Sequence, residues 1–284
     1  MTVFVLNLHQ RGPNKCAMPR WIKEILVNKM APYLCLQEEA TPTLLYLAVA
    51  ISALHDNDIL NLYKHTFQGD GTYYGAKTSG LCSLDVPHLP PVARHVDKLV
   101  ALNGQQMFGS SACGMCLQVT GSGQGAGNDP ITGTFTAYVK DLCPECLAGS
   151  VDLAEDGDGR WGVSIRAVQC PSSGPIEYAL QGSNDWYIKL QVRNEIIPAT
   201  TVEMFQPKSG IWVPLARTAD GFWTFPASGG VDKPIQRPIQ LRLTSPTGQT
   251  VTDHINPSSM AFTGIIHGQD KVQFSFDPSL PRAS

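Results

Sequence analysis

Six of the eight cysteines, Cys82, Cys113, Cys116, Cys143, Cys146 and Cys170, fall in one stretch of the chain, and none follows Cys170. These six form the group to explain, as disulfides or around a metal. Cys113-Gly-Met-Cys116 and Cys143-Pro-Glu-Cys146 are two C-x2-C knuckles, the pattern of a four-thiolate zinc site. The knuckles stand farther apart than in a usual zinc ribbon, and zinc would leave Cys82 and Cys170 over. An even set of cysteines in an oxidising compartment is the simpler reading, and spacing alone leaves both open.

The second knuckle lies inside Val139 to Leu153, a segment that puts Asp141 and Asp152 at the two ends of a loop stiffened by Pro144. The arm before it, Thr134-Phe-Thr-Ala-Tyr-Val139, has β-branched and aromatic residues at strand density. Asp141 is therefore expected at the end of a strand and Asp152 at the start of the next extended piece. A loop pinned at both ends can bring two carboxylates together. A carboxyl in a cleft beside a charged carboxylate has its pKa raised, and can donate a proton or a hydrogen bond to a sugar oxygen. The same spacing also fits a turn cap at Asp141 and a solvated surface acid at Asp152.

With 284 residues, 26 of them Gly and 21 Pro, the chain has room for two domains of short strands and turns. A net charge of −3 and the lack of long Lys/Arg runs supply no basic field. Nucleic acid and anionic membrane are therefore not expected partners, and a neutral substrate fits better.

Residues 1–65 read as an N-terminal extension holding Cys16 and Cys35. Within it, Thr43 to Ala53 is an uncharged apolar run of signal-peptide length ending in small residues, too short to span a bilayer comfortably. It follows Glu38 and Glu39 instead of a basic N-terminus, as if extra residues had been placed ahead of a secretion signal. Cleavage after Ala53 would remove both unmatched cysteines and leave no membrane segment in the mature protein; a buried helix is the alternative.

Residues 66–170 are expected to form the first domain. Gly69 to Gly75 reads as a turn entering a strand that carries Thr72 at its mouth, and Asp97 to Phe108 as one short helix. The acidic run Glu155 to Gly159 lacks the last glutamate of an EF-hand loop and reads as a solvated turn. Cys170-Pro-Ser-Ser-Gly-Pro175 marks a boundary. From 171 to 276, short alternating runs such as Trp186 to Val192, Thr200 to Phe205 and Ile239 to Leu243 indicate a β-sandwich, with 277–284 a tail. Trp186 and Tyr187 are adjacent, so in a strand at least one would be exposed and available to stack on a sugar.

Gly71-Thr-Tyr-Tyr-Gly75, Ala101-Leu-Asn103, Ala112-Cys-Gly-x-Cys116, Asp141-Leu-Cys-Pro-x-Cys146, Val151-Asp-Leu153, Trp186-Tyr187 and Gln191-Val-Arg-Asn194, in that order, resemble the microbial expansin-like proteins. The resemblance runs from about Thr66 to Phe276. It implies a mainly β chain: a six-stranded double-psi β-barrel related to family 45 endoglucanases, followed by an immunoglobulin-like β-sandwich that binds carbohydrate. It implies a secreted monomer that needs no metal or cofactor, binds cellulose or a related β-glucan or xylan, and loosens it without hydrolysis.

Carried over position by position, the barrel groove would hold Thr72, Tyr74, Asp141 and Asp152, with Asp152 at the aspartate on which loosening depends. The related endoglucanases place their catalytic base four residues after the threonine, where this chain has Ala76. A glycosidase needs an acid and a base, and alanine cannot activate water. The alternative is an endoglucanase or lytic transglycosylase in which Asp70, Asp85 or Glu145 supplies the base. Trp186 and Tyr187 match two aromatics of the sandwich platform; the third position falls on Asp220, with Phe222 or Trp223 expected to substitute. By analogy with cysteine-containing relatives, the pairs are Cys82–Cys113, Cys116–Cys170 and Cys143–Cys146.

Overall fold

The computed structural model describes residues 56–76, 79–85, 87–227 and 229–283. The apolar run 43–53, Cys16 and Cys35 lie outside them. Residues 56–64 are helical. Ile59, Leu62 and Tyr63, spaced to share one helix face, are buried in the barrel core, which thus reaches back before residue 66.

Six strands close the barrel: β1 (Phe67–Tyr73), β2 (Lys98–Asn103), β3 (Cys116–Ala126), β4 (Thr132–Cys143), β5 (Val151–Leu153) and β6 (Arg160–Val168), in the order β1-β5-β2-β4-β3-β6. β1 runs parallel to β5 and β2 parallel to β4, while β6 closes the ring antiparallel to β1. The alternating residues Val100, Leu102, Val151, Leu153, Leu117 and Val119 fill the interior.

Two sequence expectations change here. Lys98 to Asn103 is a strand instead of part of a helix, because it pairs with β4 on one side and β5 on the other and is buried along most of its length. A short apolar run of this kind has no period that separates the two structures. The helix shrinks to one turn, Gly104–Met107, where the Asn103 carboxamide accepts the Gln106 N–H at 3.0 Å and Phe108 turns left-handed at φ 46°. Asp141 lies within β4, which continues to Cys143, and the β2–β4 register shifts between Val100 and Ala101.

The sandwich has a five-stranded and a four-stranded sheet. The first contains β7 (Glu177–Leu180), β8 (Lys189–Arg193), β11 (Ala216–Arg217), β12 (Trp223–Thr224) and β15 (Gly264–His267). The second contains β9 (Thr201–Gln206), β10 (Ile211–Pro214), β13 (Ile239–Thr244) and β14 (Thr250–Ile255). Tyr178, Leu190, Val202, Met204, Leu241 and Leu243 pack between them.

The barrel and sandwich are joined through buried polar groups. Gln191 donates to the Cys82 carbonyl at 2.7 Å, Arg193 donates to the carbonyls of Leu84 and His88, and Asn194 accepts the Val92 N–H at 2.9 Å. The Gln-Val-Arg-Asn motif is thus the seam between the two parts. The 277–284 segment, expected as a tail, returns to the barrel. Gln169 bonds the carbonyls of Asp277 and Leu280, and Leu280 is buried in the barrel core. Ser110 ties to Thr218 and Arg217, which also donates to the Ala199 carbonyl.

Glu195 is buried beside this seam and accepts the Ala199 N–H at 2.6 Å. Burial raises its pKa from 4.5 to about 7, against that hydrogen bond and the nearby Arg217. In that pH range the folded protein retains a proton that the unfolded chain releases, so this contribution to stability is complete below 4.5 and is lost as pH rises through about 7. Glu195→Gln is expected to flatten the fall of the melting temperature over this range, measured by thermal denaturation; an unchanged slope would contradict it.

Candidate functional site

Strand register assembles the groove. Thr72 of β1 stands opposite Asp152 of β5, Asp152 stands opposite Ala101 of β2, and Ala101 stands opposite Asp141 of β4. Paired residues on adjacent strands share a face, so these four form a row across the barrel wall. The residues on either side of the row, Val100, Leu102, Val151 and Leu153, are interior. The row therefore lies on the other side of the barrel wall, with the buried Ala101 between two aspartates whose Cα atoms stand roughly 10 Å apart, two strand spacings.

Thr72 donates its hydroxyl to Asp152 at 2.7 Å. Burial raises the Asp152 pKa above the usual aspartate value; the Thr72 hydrogen bond opposes this, and the Glu145 carboxylate adds to it. Asp141 accepts the N–H groups of Leu81 at 2.6 Å and of Leu142 at 2.8 Å, so it holds the 79–82 loop against β4. Gly80 permits that approach, since a Cβ there would lie 2.6 Å from the Lys140 carbonyl oxygen and 3.0 Å from the Asp141 Cβ. Tyr74 follows β1, its N–H bonded to the Leu153 carbonyl at 3.1 Å. Burial, then the charges of Asp141, Asp152 and Asp85, raise its hydroxyl pKa and keep it a neutral donor.

The three disulfides form as Cys82–Cys113, Cys116–Cys170 and Cys143–Cys146. The last closes the loop carrying Glu145, followed by Leu147, which is 71% exposed. Cys143 sulfur and one carboxylate oxygen each of Glu145 and Asp152 lie within 4.8 Å of one another. A disulfide sulfur has no thiolate charge to offer a metal, so this trio reduces to a carboxylate pair.

The three alternative bases are differently placed. Asp70 pairs with Arg160 at 2.9 Å on the surface, and Asp85 with the buried Lys140 at 3.1 Å. Glu145 sits next to Asp152, one carboxylate oxygen of each within 4.8 Å of the other. Ala76 is exposed just after β1. The sequence did not flag Ala101 as the spacer between the aspartates; only strand pairing reveals it.

In the sandwich, Trp186 and Tyr187 are 60% and 39% exposed. Both are exposed because they occupy the turn before β8, not the strand: Asn184 and Tyr187 exchange backbone hydrogen bonds, and Asn184 also accepts the Trp186 N–H. Phe222 and Trp223, expected as substitutes for a third platform ring, are 3% and 4% exposed and offer no open face. Trp223 packs in the sandwich core, and Asp220 holds Lys189 at 2.6 Å, with the ammonium 4.4 Å above the Phe222 ring.

The two neighbours of Asp152 push its acidity in opposite directions. Thr72→Val removes a bond to the charged form and is expected to raise the Asp152 pKa further, whereas Glu145→Gln removes a like charge and is expected to lower it. Carboxyl-carbon NMR titration reads both, and shifts of the same sign would refute the arrangement.

No protein-family model matches the chain. The Expansin-YoaJ of Bacillus subtilis (strain 168) is 26% identical over 206 residues, covering 68% of this chain and 79% of that protein. A crystal structure of a mutant Clavibacter michiganensis expansin in complex with cellohexaose matches with a TM-score of 0.58 at 26% identity, covering 75% of this chain and 100% of that one. A stretch of 47 residues is 43% identical to the acetylcholine receptor subunit beta of Xenopus laevis, covering 16% of this chain and 10% of that protein. The expansin matches extend over most of the chain and agree with both the barrel and the sandwich, so in sequence and fold the chain is similar to the microbial expansins.

Proposed function

We propose that this protein binds cellulose or a related β-glucan and loosens it without cutting it. The observation that carries this reading is the row Thr72–Asp152–Ala101–Asp141, in which Asp152 is the acid of raised pKa and Thr72 orients it. In its protonated form such an acid donates a hydrogen bond to a glycosidic or hydroxyl oxygen of a chain lying along the row. Tyr74 stays neutral next to Asp141, with its hydroxyl buried behind the row.

Cleavage would require a second group to activate water or attack the sugar from the far side. Asp141 is engaged by two backbone N–H groups, Asp70 and Asp85 are ion-paired, and the family 45 base position is Ala76. Hydrogen-bond donation without that partner competes with hydrogen bonds between glucan chains. Trp186 and Tyr187 hold the polymer by stacking, and the cellohexaose complex of the Clavibacter michiganensis relative supports a β-glucan ligand. The three disulfides suit an oxidising, extracellular setting.

Binding and loosening are separable on this account. Asp152→Asn is expected to retain cellulose binding in a pull-down and lose mechanical weakening of cellulose paper. Trp186→Ala is expected to weaken binding by about 2- to 12-fold, the loss of one stacked ring worth about 0.5–1.5 kcal/mol. An Asp152→Asn protein that weakens paper as well as the wild type would overturn the assignment.

A further inference from the structure

The four-stranded sheet carries a second polar and aromatic site on its outer face, away from the barrel groove. Trp212 of β10 pairs with Phe205 of β9, and Gln240 of β13 pairs with His254 of β14. Leu241 pairs with Met204, so the next step of the same antiparallel register sets Gln240 opposite Phe205. The four side chains thus make one row across the sheet, on the opposite face from the buried Met204, Leu241 and Ile255.

Above this row is a cavity of about 240 Å³ lined by Phe205, Gln240, His254, Gln236 and Asp232. Its floor is braced. Glu203 grips Arg242 through two bonds of 2.6 and 2.7 Å, the guanidinium lies 4.4 Å from the Trp212 ring, and Trp212 packs against Phe205 at 5.3 Å with a 57° tilt. Its wall is tied down as well. The Asp232 N–H bonds Gln206, the Asp232 carboxylate accepts the Lys208 N–H, and Arg237 donates to the Pro257 and Ser258 carbonyls.

The cavity is therefore preformed, and it combines an aromatic ring, the carboxamides of Gln236 and Gln240 and an imidazole whose Nδ1 is held by Asp270 at 2.6 Å. That mixture matches a pyranose: apolar C–H faces against the aromatic, and hydroxyls to amide donors and acceptors. Its volume lies below the range of about 300–1,000 Å³ usual for drug-sized ligands, which suits a single ring and not a chain segment. The wall also connects to the aromatic turn, because the Ile235 N–H bonds the carbonyl of Asp185, next to Trp186. We infer that this pocket is a second saccharide site, taking one neutral pyranose ring from a chain end or a side branch, separate from the Trp186–Tyr187 turn. It depends on a carbohydrate-binding role for the molecule but not on any chemistry in the barrel.

The test is amide NMR of the full-length protein carrying Trp186→Ala and Tyr187→Ala, titrated with cellobiose, which offers chain ends, and with a xylose-branched glucan oligosaccharide, which also offers side branches. Saturable shifts in the side-chain amides of Gln240 and Gln236 with either sugar are expected, and the preferred sugar identifies the source. Gln240→Ala, added to the same protein, is expected to weaken that binding about fivefold, the effect of losing one neutral hydrogen bond. A well-dispersed spectrum in which neither sugar moves these signals would refute the pocket. Wild-type binding to cellulose through Trp186 would then still stand, so failure of the pocket is distinguishable from failure of the proposed function.

Discussion

Ala101 lies between two aspartates because β2 pairs with β5 on one side and with β4 on the other. Everything proposed for the groove depends on that pairing. The register puts Thr72, Asp152, Ala101 and Asp141 in one row while the residues between them fill the interior. A slip of one residue in β5 would turn Asp152 inward and expose Val151 or Leu153, exchanging a buried apolar side chain for a buried charge. The barrel's hydrophobic core therefore enforces the geometry of the groove.

The groove and the aromatic turn belong to one tightly connected structure because the seam is polar and buried. Gln191, Arg193 and Asn194 spend their hydrogen bonds on barrel and linker backbone, and Gln169 draws the C-terminal segment onto the barrel. Loss of one such group would strand buried carbonyls at a cost of about 1–3 kcal/mol each. The barrel and the sandwich are thus joined by direct buried hydrogen bonds.

The sequence was most informative where chemistry is local. The cysteine pairs were visible through family resemblance, and at least one exposed aromatic at Trp186–Tyr187 was expected, whereas Asp141 lies within β4 and the carboxylate next to Asp152 is Glu145. Features depending on partners distant in sequence were hidden. Lys98 to Asn103 looked helical because a strand buried between two neighbours has no alternation to display. Phe222 and Trp223 looked like platform rings because sequence does not reveal that Lys189 and the sandwich core cover them. Gln191 to Asn194 carried the resemblance without a reason, which the seam supplies. The outer row of Phe205 and Gln240 was legible only as a period-2 pattern, since register decides which residues share a face.

The central claim, an acid acting without a base, is tested most directly by incubating the full-length protein with cellulose paper. Mechanical strength and soluble reducing sugar would be measured on the same samples. The account predicts weakening with no sugar release above background. Release of sugar in proportion to weakening would contradict it and place a functioning base in the groove.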